Sequence, residues 1–291
     1  MTSKNPMVSI ITPSFNQGKF IEDTILSIKN QDYPNIEHIV IDGGSTDNTL
    51  AILQKYEKQY NLKWISERDK GQSDALNKGF QIAKGEIIGE LDSDDVYFDK
   101  NVITHIIDIF NKYPEIDVIY GDNALINEDC LFLKVRHTFF WFSFNHLLRS
   151  DYIPQPSTLM RRQRIKNRLF DVNIDLPMDY DFWLKIAKTG AIFKHTNRII
   201  SAARRYDTQK TTSRWEEMKW ATKRVQQNYG QKFDTKYYVL TYLDTLCLIV
   251  LKLYGIKTIL SLYSIPQQRI FTFHVKFDSL IKLIIRQLFY R

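Results

Sequence analysis

The chain has 291 residues, 44% of them hydrophobic and 25% charged, a balance that fits a folded globular protein and excludes long disorder, collagen-like repeats and coiled coil. Its two cysteines, Cys130 and Cys247, are too few for a disulfide framework and lack zinc-site spacing, so a reducing, cytoplasmic setting is expected. Of the net charge of +7, about +6 falls between Gly230 and Arg291, where nine Lys/Arg meet three Asp; a basic excess confined to an apolar tail points to an anionic membrane surface rather than to nucleic acid.

In chain order, two hydrophobic periods alternate. The stretch after Met1 is short and breaks at Pro13, which is unlike a secretory signal. Val8-Ser9-Ile10-Ile11 reads as a buried strand, and Ile21, Ile25 and Ile28 recur at helical spacing. Ile36 to Ile41 is a β-branched strand, and Leu50, Leu53, Tyr56 and Tyr60 form a helical stripe with Ser45, Thr46 and Asp47 as capping candidates. Leu62–Ile65 predicts a strand, Ser73 to Ala83 a helix and Glu86 to Leu91 a strand. Val102, Ile103, Ile106, Ile107 and Phe110 mark a helix face, and Asp117–Tyr120 a further strand. Strands alternating with helices predict an α/β fold with a mostly parallel sheet flanked by helices. From about Ala124 to Asn228 the segments shorten and gain Arg and aromatic residues, which predicts a second lobe grown onto the same sheet. The expected division is therefore 1–123, 124–229, and an apolar basic helical tail at 230–291.

Small polar clusters follow the predicted strands: Thr12-Pro13-Ser14-Phe15-Asn16, Asp42-Gly43-Gly44-Ser45-Thr46-Asp47, Glu67-Arg68-Asp69-Lys70-Gly71 and Asp92-Ser93-Asp94-Asp95. In a parallel sheet these meet outside the carboxyl ends of the strands, where ligands bind. No Gly-x-x-x-x-Gly-Lys-[Ser/Thr] occurs, and no Gly-x-Gly-x-x-Gly follows the first strand, so neither a P-loop nor a dinucleotide fold is expected. Asp42 or Asp69 could instead accept from a base or ribose. Asp92 and Asp94 could hold Mg²⁺ or Mn²⁺ and leave positions open for a diphosphate. An isolated Asp-x-Asp triplet is also a common helix-capping turn.

The ordered set of motifs resembles a family 2 glycosyltransferase of the GT-A fold. The resemblance is carried by Val8–Asn16, Val40–Thr49, Glu67-x-Asp69-x-Gly71-x-x-Asp74-Ala75-x-Asn77-x-Gly79 and Gly85 to Asp95. On the acceptor side it is carried by Gln155-Pro156-Ser157 and Met178–Leu184. It implies that Thr12, Pro13, Ser14, Asp42 and Asp69, with Lys70, Asp92, Ser93 and Arg204, hold a nucleotide sugar. It further implies that Asp92 and Asp94 bind a divalent cation, Mn²⁺ or Mg²⁺, and that Asp179 is the catalytic base of an inverting transfer. UDP is the nucleotide the family favours. The acceptor would be a hydroxyl of a glycan or lipid-linked sugar in polysaccharide synthesis.

Two departures stand out. Met178 occupies a position usually acidic, and Tyr206 in Arg204-Arg205-Tyr206 replaces the histidine of the family's Arg-x-His. Arg204, Arg205 and Lys210 remain to neutralise a leaving diphosphate. Read without the family, Asp179 could be a first-turn dipole partner, the aromatic run Phe139 to Phe144 either core or acceptor platform, and Arg161, Arg162 and Arg164 a solvated face. A nucleotidyltransferase would carry a glycine-rich basic loop after the first strand, which Pro13–Gly18 does not resemble. A non-catalytic sugar-nucleotide or membrane-binding module is the other alternative. In the tail, Tyr237–Tyr254 is apolar but interrupted by Asp244 and Lys252, too short an uncharged run to span a bilayer. Phe277, Leu280, Ile281, Ile284, Ile285 and Leu288 repeat at helical spacing beside Lys282 and Arg286, the pattern of an interfacial helix on the inner face of a membrane. Packing on the enzyme or a homo-oligomer interface would use the same stripe.

Overall fold

The structure, a computed structural model, describes residues 5–165 and 169–243. The first lobe alternates as the periodicity predicts: β1 (Val8–Ser14), α1 (Ile21–Lys29), β2 (Ile36–Asp42), α2 (Thr49–Tyr56), β3 (Leu62–Ser66), α3 (Gln72–Ile82) and β4 (Ile87–Glu90). β1 is buried at all seven positions, the polar Ser9, Thr12 and Ser14 included, as expected where helices cover both faces of a parallel sheet. α1 begins with Glu22 and Asp23 and ends with Lys29, charges that oppose its dipole at each end. Tyr60 falls beyond the end of α2. Its hydroxyl instead meets His38 Nδ1 at 2.6 Å.

The chain continues with β5 (Val96–Tyr97), α4 (Val102–Lys112), β6 (Val118–Ile126), β7 (Phe132–Arg136), α5 (Phe144–Arg149), β8 (Thr158–Arg161), α6 (Arg162–Ile165), α7 (Met178–Ala187), β9 (Phe193–Arg204), α8 (Lys210–Ser213) and α9 (Trp215–Asn228). Its strands join the same sheet, in the order β3-β2-β1-β4-β8-β6-β9-β5, with β7 paired to β6. Pairing is parallel from β3 through β4 and between β6 and β9. It is antiparallel at β8, β7 and β5. Position 123/124 lies inside β6, so the two expected halves share a strand.

Packing around α7 fixes the second lobe. Tyr180, Phe182, Trp183, Leu184 and Ile186 are fully buried, and the Tyr180 hydroxyl donates to the carbonyls of Leu147 and Leu148. Phe139 is core, while Phe140 and Trp141 are exposed. Arg161 is not on a solvated face: it is buried, donating to the carbonyls of Ile116 and Phe110. Of the tail, residues 244–291 lie outside the described residues, and with them the Phe277–Leu288 stripe and much of Tyr237–Tyr254. Among the described residues no helix is long and apolar enough to cross a membrane.

At the start of β4 the sheet and the α3–β4 turn close tightly. A Cβ on Gly85 would lie 2.5 Å from both the amide nitrogen and the hydroxyl of Ser9, and 2.8 Å from the Ile87 carbonyl oxygen. Two of those three atoms are backbone, so the site cannot yield cheaply. Gly85→Ala is expected to cost about 1–3 kcal/mol as an overpacked substitution, read as a lowered urea midpoint at unchanged m-value.

Candidate active site

The carboxyl ends of β1, β2, β3 and β4 open on one edge of the sheet, and the loops beyond them line a cavity of about 1020 Å³. Pro13, Ser14, Gly43, Gly44, Asp69 and Gly71 form one wall. Asp92, Ser93, Asp94, Asp179, Arg205 and Lys210 lie along the rest. A Cβ on Gly43 would sit 2.9 Å from Asp69 Oδ2, so a side chain there would displace that carboxylate. A hydrogen bond from the Gly71 amide to Asp69 Oδ1 (2.8 Å) holds that carboxylate.

Four of the expected donor residues do not line this cavity. Thr12 is fully buried, with its hydroxyl 2.9 Å from His38 Nε2; burial lowers the His38 pKa to about 3, so the imidazole is neutral. Asp42 is also fully buried. Its carboxylate accepts from the amides of Gly44 and Ser45 and from the hydroxyls of Ser45 and Ser66, so it shapes the Gly43–Ser45 loop from behind. Lys70 contributes its amide to the Asp74 carboxylate. Arg204 is a correction: β9 carries it beneath the cavity floor, wholly buried, with Nε on the Asp94 carbonyl (2.9 Å), Nη1 on the Glu128 carbonyl (2.6 Å) and Nη2 on Asp23 (2.9 Å). Its neighbour Arg205, past the end of the strand, is the one that reaches the cavity.

The carboxylates of Asp92, Asp94 and Asp95 offer oxygens within 4.8 Å of one another. Asp95 is turned inward to the Arg204 amide, Asp92 accepts from Gln72 Nε2 (2.9 Å) and Asp94 from the Tyr206 hydroxyl (2.9 Å). Burial, then the charge of Asp94, pushes Asp92 up to about 7. Burial raises Asp94 too, opposed by the Tyr206 hydrogen bond. Asp95 is raised well above its usual range by burial and by both neighbours. Three crowded carboxylates that resist ionising together, all hard oxygen donors, fit a divalent cation of the Mg²⁺ or Mn²⁺ type. Tyr206, where a histidine was expected, keeps a hydrogen bond to that cluster.

Asp179 stands in the first turn of α7 on the cavity wall. The Tyr180 amide donates to its Oδ1 at 2.9 Å. Burial raises its pKa, opposed by that amide and by the Arg136 charge. Met178, in the usually acidic position, packs its sulfur 3.0 Å from the Ser73 hydroxyl.

A model of the family described as Glycosyl transferase family 2 matches residues 9–168. The chain belongs to glycosyl transferase family 2. An uncharacterized glycosyltransferase of Rickettsia typhi is 31% identical over 221 residues, 72% of this chain and 67% of that protein. TuaG of Bacillus subtilis, a putative teichuronic acid biosynthesis glycosyltransferase, is 27% identical over 222 residues, 75% of this chain and 87% of its own length. The Escherichia coli chondroitin synthase is 30% identical over 195 residues, 67% of this chain but only 28% of the larger synthase. Among solved structures, Staphylococcus aureus TarS 1–349 in complex with UDP-GlcNAc aligns with a TM-score of 0.62 at 21% identity, covering 75% of this chain and 65% of that one. The mannosyltransferase PcManGT of Pyrobaculum calidifontis, in complex with GDP-Man and Mn²⁺, aligns at 0.57 and 16% identity, covering 98% and 88%. These likenesses establish the GT-A fold.

Three residues that this family 2 glycosyltransferase places in the cavity had no signal in the sequence: Gln72, Arg136 and Asp151. Gln72 opens α3 at an unspecified position inside the Glu67–Gly79 motif, so its neighbourhood was legible. Arg136 and Asp151 come from irregular segments that only the pairing of β7 with β6 and the turn at Gln155–Ser157 bring to the wall.

Proposed function

We propose that this enzyme is an inverting, divalent-cation-dependent glycosyltransferase. It would move a sugar from a nucleotide-diphosphate donor, UDP-sugar favoured, to a hydroxyl of a glycan or lipid-linked acceptor in cell-surface polysaccharide synthesis. One observation carries the reading: a single cavity is lined by the loops after β1, β2 and β3, by the Asp92/Asp94 pair and by Asp179. The names of the relatives, among them teichuronic acid and chondroitin enzymes, support the polysaccharide assignment.

In this reading Pro13, Ser14, Gly43 and Asp69 receive the nucleoside, and the backbone can approach closely at Gly43. Asp92 and Asp94 would hold the cation, which supplies charge neutralisation at the diphosphate. Arg205 and Lys210, which also line the cavity, add positive charge toward the same group. Asp179 takes the proton of the acceptor hydroxyl as that oxygen attacks the anomeric carbon from the face opposite the leaving diphosphate, which inverts the configuration. Burial raises the pKa of Asp179, which makes it a stronger base than an ordinary aspartate.

Calorimetry tests the donor half. UDP is expected to bind in the presence of Mn²⁺ and to lose most of its affinity in EDTA or in Asp92→Asn/Asp94→Asn. Equal affinity under EDTA removes the cation from the reading. We further propose that the tail docks peripherally on an anionic membrane, at the inner face, which would bring the cavity to a lipid-linked acceptor. The full chain should co-sediment with anionic liposomes at low salt and a chain ending near Gly230 should not; equal behaviour assigns the tail to packing or to a homo-oligomer.

A further inference from the structure

We propose that Asp151 is an acceptor-binding residue: its carboxyl, with the Arg136 guanidinium beside it, takes a hydroxyl of the acceptor sugar neighbouring the one that Asp179 deprotonates. The proposal rests on the glycosyl-transfer reading and names the acceptor chemistry at that site, a neutral sugar diol rather than an anionic group.

Asp151, Arg136 and Asp179 line one cavity. Asp151 follows α5 and leads into the Gln155–Ser157 turn, so a helix end and a turn fix its backbone. Among the described residues its Oδ1 is buried without any hydrogen-bond partner. A buried carboxyl oxygen with no partner carries a desolvation penalty that a bound hydroxyl would relieve. Arg136 donates from Nη2 to the Asp151 carbonyl at 3.3 Å, a single long bond that uses one of its five N–H groups. A carboxyl and a guanidinium side by side match a sugar hydroxyl, which can donate to one and accept from the other.

The surroundings act on both carboxyls. Burial, then the charge of Asp179, pushes Asp151 up to about 8, and Arg136 opposes the rise. Asp179 and Tyr180 from α7 and Arg136 from β7 are the titratable and charged groups that act on it. At neutral pH Asp151 is therefore mainly the protonated acid, able to donate to a sugar oxygen; burial raises Asp179 as well, opposed by the Tyr180 amide and the Arg136 charge.

The test measures UDP release by the full chain with Mn²⁺ from UDP-GlcNAc, UDP-GalNAc, UDP-glucose and UDP-glucuronate. Methyl glycosides of glucose, galactose and N-acetylglucosamine serve as acceptor probes, across acid to alkaline pH. Asp151→Ala is expected to raise the KM for the best glycoside ~10-fold or more, the loss of a hydrogen bond to a polar group, with UDP affinity kept. Asp151→Asn keeps a donor and an acceptor, so its KM should stay within about threefold of wild type. That variant should also lose the alkaline fall in kcat/KM centred near the Asp151 pKa of about 8. An unchanged KM in Asp151→Ala overturns the proposal. So does lost UDP affinity in the variants, an unaltered alkaline limb in Asp151→Asn, or turnover abolished by Asp151→Asn, which would make Asp151 the base. A wild-type enzyme that releases UDP yet neither uses nor, by saturation-transfer NMR, binds any of these glycosides also overturns it. No UDP release from any donor by wild type would instead fail the glycosyl-transfer reading itself.

Discussion

Asp179→Asn is expected to lower turnover by ~10²-fold or more, the scale of a positioned general base, while UDP affinity with Mn²⁺ stays within about twofold. The substitution is nearly isosteric and leaves a carbonyl oxygen to accept the Tyr180 amide, so α7 should keep its place. It removes the basic oxygen alone. The alternative base on the same helix, Asp181, is poorly placed for the role. It is buried, its carboxylate is engaged by the Tyr229 hydroxyl at 3.2 Å and by Lys185 at 3.4 Å, and it does not line the cavity. Because the base must be ionised and burial raises its pKa, wild-type kcat/KM should fall as pH drops through the pKa of Asp179. In Asp179→Asn the residual rate should lack that acid limb. UDP release and calorimetry on the same preparations separate chemistry from binding. Near-normal turnover would remove Asp179 from the mechanism, and lost UDP affinity would move it to the donor site.

The donor edge of this site was legible because it follows from regular structure. Buried parallel strands are rich in β-branched residues, so β1, β2 and β4 could be placed from Val8–Ile11, Ile36–Ile41 and Glu86–Leu91, and the polar segments after them then had to meet. What the pattern could not resolve was which side chain of a loop faces the cavity. Thr12 and Asp42 sit near the right strand ends, inside β1 and β2, but are consumed by His38 and by the Gly44–Ser45 amides. Arg204 and Arg205 are adjacent, equally basic and equally consistent with diphosphate binding. Only the register of β9, which pairs Arg204 with Ile126 and ends there, decides that one goes under the floor and the other above it. The acceptor wall was opaque for another reason. Arg136 and Asp151 belong to short antiparallel and turn segments whose meeting depends on non-local pairing, and no local period records that. Tyr206 was visible as a departure, yet its hydrogen bond to Asp94 needed the folded loop.

Arg204→Met should destabilise the enzyme by about 2–4 kcal/mol: the buried Asp94 carbonyl is left without its donor, at about 1–3 kcal/mol, and the partly exposed Asp23 loses its partner at a smaller cost. At roughly 2–4 °C per kcal/mol for a chain of this size, Tm should drop by about 10 °C. The guanidinium is wholly buried and lies 4.6 Å over the Phe20 ring. Its donors tie three segments together: the Asp94 carbonyl after β4, the Glu128 carbonyl between β6 and β7, and Asp23 in α1. Methionine fills much of the volume and satisfies none of these acceptors, so the buried Asp94 carbonyl and the part-buried Glu128 carbonyl lose their donor. Lysine retains the charge but not the fork, and Arg204→Lys should fall between wild type and Arg204→Met. The Arg204 amide still reaches Asp95 in either variant, so β9 should stay in register. With the Asp94 carbonyl released, the Asp92–Asp94 turn loosens, and UDP affinity with Mn²⁺ should weaken in step with stability across the two variants. A residue that touched the nucleotide directly would behave otherwise: UDP affinity would collapse in Arg204→Met while the urea midpoint stayed at the wild-type value, and that result would return Arg204 to the donor site.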